Sequence, residues 1–348
     1  MTSRNIKFRG FTLVVAILAI SATLWIHQGG RYYFIATVAK PDIRSLRNSH
    51  DTEVSVVEPD LSLRISQETR VCTKGNFQLL KSWLIDQLSD FMRVYNERPF
   101  VSHAGGTKVM HHFALWSTIK RLRPEYIIES GIHQGFGTWM MRQAAPNARF
   151  ILLDPSDKNL KYRDKRNASV YLIGREFIDF GRVDWTKYVS DPARALVFID
   201  DHQSLLLRIR QARQHGFKHL IFDDNYWMDS GDVTGLKTIC HFVLGETLAK
   251  TSRYEAPEPG TQTVPRVWTE ELRDELGNFF RKNITEYYEF PMIWNATSVL
   301  GRYTNKQTRN MLFNSTDGSK VLKDYGLTKT IPPGEIDAYR NIAYIKVE

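Results

Sequence analysis

Y-I-I-E-S-G-I-H-Q-G-F-G-T-W-M-M at residues 126–141, followed after a polar interval by R-F-I-L-L-D at 149–154, reads as strand, glycine turn, helix, strand. Tyr126 to Ile128 is apolar and β-prone, and Glu129 closes the run. Gly131, Gly135 and Gly137 follow at spacings that let backbone approach a ligand closely before a helix begins near Thr138. Asp154 ends the second apolar run 25 residues after Glu129. A nucleotide-type α/β domain places a carboxylate there, against ribose hydroxyls. Glycine at such a turn also has a purely conformational use, so the reading needs further strands.

Two supply it. Ala195–Ile199 ends in Asp200, Asp201 and His202, and His219–Phe222 ends in Asp223, Asp224 and Asn225. Ligands of an open parallel sheet bind outside the carboxyl ends of its strands, so acids at four such ends face one crevice. With Glu129-Ser-Gly131, Gly135 and then Asp154, the chain resembles class I S-adenosylmethionine-dependent methyltransferases, which carry E/D-x-G-x-x-x-G and use the next strand's acid for the ribose. Asp201-His202 and Asp224-Asn225 are similar to the metal-binding positions of catechol-type O-methyltransferases. The doublet Asp223-Asp224 resembles the macrocin O-methyltransferase and cephalosporin hydroxylase families. The resemblance runs from Lys108 to Tyr226, about a third of the chain. It departs where catechol-type enzymes put a lysine base after the D-H pair, since Gln203 and Ser204 stand here.

The resemblance implies a Rossmann-like, doubly wound, mostly parallel sheet with an antiparallel closing strand. It implies adenosylmethionine bound by Glu129, Gly131, Gly135 and Asp154, with Asp179 near the adenine; the residues alone also allow Asp179 as a solvated loop acid. It further implies a divalent metal, Mg2+ or Mn2+, held by Asp201, Asp223, Asp224 and Asn225, with Asp201 and His202 as catalytic groups. The acceptor expected is a glycan or a small hydroxylated molecule. A type II metal-dependent glycosyltransferase is the alternative, faintly imitated by Asp200-Asp201-His202. A non-catalytic lumenal protein that keeps the fold is another.

A chain of 348 residues with 42% hydrophobic content can bury a large core. The net charge of +9 is spread out, and no basic run is dense enough to argue for nucleic acid. Residues 1–10 read as a cytoplasmic tail containing Arg4, Lys7 and Arg9, and 11–28 as a single transmembrane signal anchor. The sixteen uncharged residues from Phe11 to Ile26 span roughly 24 Å as a helix, slightly short of a bilayer core, and the flanking residues complete it. A cleaved signal peptide is the rival reading, with a shorter apolar region. The anchor implies a type II membrane protein of the Golgi or endoplasmic reticulum, its bulk lumenal. Sequons at Asn167, Asn283, Asn295 and Asn314 suit a lumen. Cys72 and Cys240 form either one disulfide or two buried thiols.

Residues 29–75 read as a polar stem and 76–348 as the lumenal domain, with core 107–227, an acceptor-side insertion 228–283 and closing strands 284–348. Helical spacing from Asn76 to Glu97 puts Leu80, Trp83, Leu84, Leu88, Phe91, Met92 and Tyr95 on one face. A second helix runs from Thr107 to Leu122, with His111 and His112 read as structural because neighbours on a helix point about 100° apart. Gln203–His215 reads as a helix whose arginines form a solvated face. Further helices are expected over Val233–Lys250 and Glu270–Phe280.

Overall fold

Apolar runs that leave no polar face, such as Ala195–Ile199, can be buried only in a sheet covered on both sides. The computed structural model of the protein has such a sheet. It describes residues 23–28, 31–36, 73–101, 107–166, 169–223, 225, 235–243, 252–255, 264–267, 269–294, 311–332 and 342–348. The chain divides into two units, Met1–Pro59 and Asp60–Glu348.

In the first unit, β1 (Thr23–Gln28) pairs antiparallel with β2 (Arg31–Ala36). The reading of 11–28 as one helix is thereby corrected at its C-terminal end. In register, Trp25 lies opposite Phe34 and Ile26 opposite Tyr33. Residues 11–22 lie outside the described residues. Among the described residues, no helix is long and apolar enough to cross a membrane.

The second unit begins with β3 (Thr73–Lys74), α1 (Lys81–Tyr95) and α2 (Val109–Leu122). The motif region follows as β4 (Tyr126–Ser130), α3 (Phe136–Ala144), β5 (Arg149–Asp154), β6 (Ser169–Ile173), β7 (Ala195–Ile199), α4 (Leu205–Gln214) and β8 (His219–Phe222). Then come α5 (Leu236–Val243), a hairpin of β9 (Ser252–Glu255) and β10 (Val264–Val267), α6 (Glu270–Asn283), β11 (Ile284–Glu289) and β12 (Met292–Trp294). The chain closes with β13 (Met311–Phe313), α7 (Gly318–Asp324) and β14 (Ala343–Val347).

Eight strands form one sheet in the order β3-β11-β14-β8-β7-β4-β5-β6. From β8 to β6 the neighbours are parallel, and β14 is antiparallel to both β8 and β11. This is the expected mixed sheet with an antiparallel closing strand. Side chains alternate between its faces. Ile127, Phe150, Leu152 and Phe198 pack with α1, α2 and α3, whereas Ile128, Ile151, Leu153 and Val197 pack with α4, α5 and α6.

Several element expectations need correction. Helix α1 starts at Lys81, so Leu80 is its N-cap and 67% exposed, outside the apolar stripe that holds Leu84, Leu88, Phe91, Met92 and Tyr95. Helix α6 runs on to Asn283, whose buried side-chain amide donates to the Phe279 carbonyl at 2.7 Å. That sequon is closed to modification in the folded chain, while Asn314 is exposed and Asn167 and Asn295 lie outside the described residues. Cys240 is buried and disulfide-bonded, and the chain's other cysteine is Cys72.

Candidate functional site

Strand order reverses at β4, with β5 and β6 on one side and β7 and β8 on the other. A crevice opens at such a switch point beyond the strand ends. The turn leaving β4 has positive φ at Gly131 (92°), His133 (50°) and Gly135 (83°). At Gly131 a Cβ would run into the Asp200 carbonyl, so the close approach of the β4 and β7 ends requires glycine. Asp154, at the end of β5, fixes the turn from outside. Its Oδ2 accepts from the backbone N–H groups of Ile132 at 2.8 Å and His133 at 2.9 Å, and its Oδ1 from Ser156 N–H at 2.8 Å.

Consecutive residues at the end of β4 then point to opposite faces. Glu129 turns toward α3, where it is buried and accepts a hydrogen bond from the Thr138 hydroxyl. Burial pushes its carboxyl up to about 8, against the opposing effect of that hydrogen bond, so at neutral pH the acid is mostly uncharged. Ser130 turns the other way, and its hydroxyl donates to Asp201 Oδ2 at 2.6 Å.

On that second face lies a cavity of about 680 Å³, lined among others by Gly131, Leu153, Phe177, Asp179, Asp201 and Arg208. Arg208 is 2% exposed and joins the two acids. Its Nε donates to Asp201 Oδ2 at 2.8 Å, and its Nη2 lies 2.8 Å from the same oxygen. Nη1 and Nη2 donate to Asp179 Oδ1 and Oδ2 at 3.0 and 2.8 Å, a two-pronged pair. Asp179 also caps the turn at 180–182 through Gly181 N–H at 3.0 Å. Burial opposes ionisation of Asp179, but Arg208 outweighs it and holds the carboxyl below its ordinary value. The guanidinium is likewise held charged by the two acids despite its own burial.

Of the expected site residues, the fold brings Gly131, Asp179 and Asp201 to this cavity. Glu129 and Gly131 line a much smaller recess on the other side of the turn, with Thr107, His133 and Asp200. Gly135 is the N-cap of α3, and Asp154 holds the turn. Asp201, Asp223 and Asn225 of the expected metal set each have protein partners. Asp201 is committed to Arg208, and Asn225 is buried, with its amide donating to the Tyr287 hydroxyl and accepting from Lys237 N–H, both at 2.8 Å. Asp223 is buried with Oδ1 3.5 Å from His111 Nδ1, and Asp224 lies outside the described residues. Among the described residues, no group of three or more His, Cys, Asp or Glu is placed to hold a metal ion. His202 is exposed with φ 54° and lines neither of these cavities.

Arg208 is the residue that sequence reasoning missed. It stands among the arginines of α4, where a solvated face is the ordinary reading, yet 205, 206, 208, 209 and 212 are the buried positions of that helix. Its spacing with Leu205 and Ala212, three before and four after, was the available signal. Ser130 and His133 were also passed over, being the unremarkable members of the turn.

No protein-family model matches the chain, and no curated protein matches it in sequence. Among solved structures it is similar to the adenosylhomocysteine-bound methyltransferase PaMTH1 of Podospora anserina, at 10% identity over 79% of this chain and 99% of that one, with a TM-score of 0.33. It is similar to an O-methyltransferase from Bacillus cereus in complex with adenosylhomocysteine, at 15% identity over 51% and 88%, TM-score 0.30. A third is the O-methyltransferase TomG from Streptomyces achromogenes in complex with adenosylmethionine, at 13% over 52% and 86%, TM-score 0.29. Each is a likeness of backbone course, and the chemistry of this chain rests on its own residues.

Proposed function

We propose that the protein is an S-adenosylmethionine-dependent O-methyltransferase. The carrying observation is the cavity beyond the ends of β4 and β7, which joins a turn of three positive-φ residues to a floor made by Asp179, Arg208 and Asp201. A bound sulfonium donor supplies an electrophilic methyl: the acceptor oxygen takes the carbon, the S–C electron pair stays on sulfur, and the hydroxyl proton passes to a base. The chain's part is to align donor and acceptor and to receive that proton. Phe177, Leu153 and Pro155 supply apolar cover for a purine ring, and Asp179 and Asp201 supply acceptors for its amine and for ribose hydroxyls. Gly131 leaves room for the amino-acid end. His133 lines the separate recess on the other side of the turn, away from this cavity.

The floor carries two carboxylates whose partner Arg208 has all its donors taken by protein acceptors, which leaves that guanidinium nothing to offer a diphosphate, while the exposed Arg182 also lines the cavity. The spent guanidinium disfavours the glycosyltransferase alternative. No step of the proposed transfer runs through a divalent metal; Arg208 holds Asp201 Oδ2, and Asn225 is engaged by Tyr287 and Lys237. The acceptor we propose is a glycan or a small hydroxylated molecule, with the chain anchored by the uncharged run that begins at Phe11 and its bulk in the Golgi or endoplasmic reticulum lumen. The uncharged run after Arg4, Lys7 and Arg9 and the exposed Asn314 sequon support that placement.

Thermal melting of the full chain separates the readings. Adenosylhomocysteine at a hundred times its Kd stabilises by about 2.7 kcal/mol, and uridine or guanosine diphosphate with Mn2+ gives no shift. A shift with the diphosphate alone would replace this proposal with the alternative.

A further inference from the structure

A guanidinium has five N–H donors, and Arg208 directs all of them at protein acceptors. Nε and one arm of Nη2 face Asp201 Oδ2, the other arm of Nη2 and one of Nη1 face Asp179, and the last meets Gln211 Oε1 at 2.8 Å. Nothing remains for an anionic ligand. The acids are not exhausted in the same way. Asp179 Oδ1 already takes Gly181 N–H and Arg208, but Oδ2 takes Arg208 alone. Asp201 Oδ2 takes Ser130 and Arg208, while Oδ1 takes only Gln203 N–H, at 3.2 Å. Each carboxylate therefore keeps an open acceptor position, and the Asp179 and Asp201 side chains stay 17% and 10% exposed against 2% for Arg208. Gln211 and Phe180 hem the guanidinium from the remaining sides, the ring centroid lying 5.8 Å from its carbon.

We infer that Arg208 is a positioning residue that sets ligand selection in this cavity: it fixes Asp179 and Asp201 as paired acceptors, so the site takes a nucleoside through an exocyclic amine and ribose hydroxyls and offers a phosphate no donor from Arg208. The inference rests on the adenosine-type reading above. Removing Arg208 frees both carboxylates to rotate and leaves their charges unopposed, which removes discrimination as well as affinity.

The experiment is calorimetry on the full chain with three probes: S-adenosylhomocysteine, its inosine counterpart with an oxo group in place of the purine amine, and ADP. The wild type binds the adenosyl compound about tenfold more tightly than the inosyl one, and ADP not measurably, as one charge-assisted hydrogen bond decides the first pair. In Arg208→Leu the ratio falls to about twofold or less, and Arg208→Lys, which keeps the charge but not the fork, restores part of it. Equal weakening of both ligands with the ratio intact would mark Arg208 as merely structural and overturn the inference. Should Arg208→Leu not fold, the comparison passes to Arg208→Lys and Asp179→Asn, and an unchanged ratio in both has the same force. A wild type that binds neither thioether sinks the adenosine reading itself, a result distinct from any change in ratio.

Discussion

Two buried arginines sit on opposite faces of one sheet, and they serve different ends. Arg142, on α3, is 1% exposed; it pairs with Asp164 at 2.8 Å, donates to the carbonyls of Ala145, Pro146 and Ala148, and lies 3.9 Å from the centre of the Phe150 ring. Its contacts tie the end of that helix to β5, β6 and the loop that carries Asp164. Arg208, on α4, is as deeply buried, but its two carboxylates border a cavity. Burial and ion pairing alone are thus no mark of a site, because a buried pair only offsets its own desolvation. What separates the two is that Asp179 and Asp201 line a cavity, whereas Asp164 is packed away at 3% exposure. The same division runs through β4 itself, where Glu129 is sealed under α3 and Ser130 opens toward Asp201.

The largest effect that would sharpen this contrast is Arg142→Leu. It strands Asp164 and three helix-end carbonyls and costs about 3–5 kcal/mol in denaturant unfolding, with ligand affinity per folded molecule unchanged. A specific loss of ligand affinity there would erase the distinction between the two faces. Next comes Glu129. Its folded pKa, about 8, stands above the ordinary 4.5, so its contribution to stability is complete below 4.5 and is lost as pH rises through 8. Glu129→Gln keeps the uncharged shape and flattens that profile, gaining about 3–4 kcal/mol over the wild type at alkaline pH by thermal melting. A wild-type profile flat from 4.5 to 9 would mean the carboxyl is ionised throughout. The smallest effect is Asp154→Ala, which leaves the Ile132 and His133 N–H groups unpaired. It costs about 1–2 kcal/mol and weakens adenosylhomocysteine binding by loosening the turn. Unaltered binding would show that the turn holds its shape without that acid.

Much of the fold was legible because strand burial writes itself as uninterrupted apolar runs and crevice acids stand at their ends. Gly131, Asp179 and Asp201 reach the cavity as expected. Two members of the expected metal set have partners that no run of letters displays: Asp201 meets a guanidinium seven residues on, and Asn225 meets Tyr287 from a distant strand. Leu80 and the end of the apolar run at 23–28 failed differently, because an apolar residue at an element's boundary does not say on which side of that boundary it falls.

Local order was settled by the sequence: which segments are strands and helices at the centre, since those are properties of short windows with periods of two or three to four residues. Partnership was settled only in three dimensions. Whether a carboxylate faces solvent, a ligand or an arginine depends on groups brought from elsewhere by the sheet order, and their electrostatic competition has no signature in the spacing of one motif.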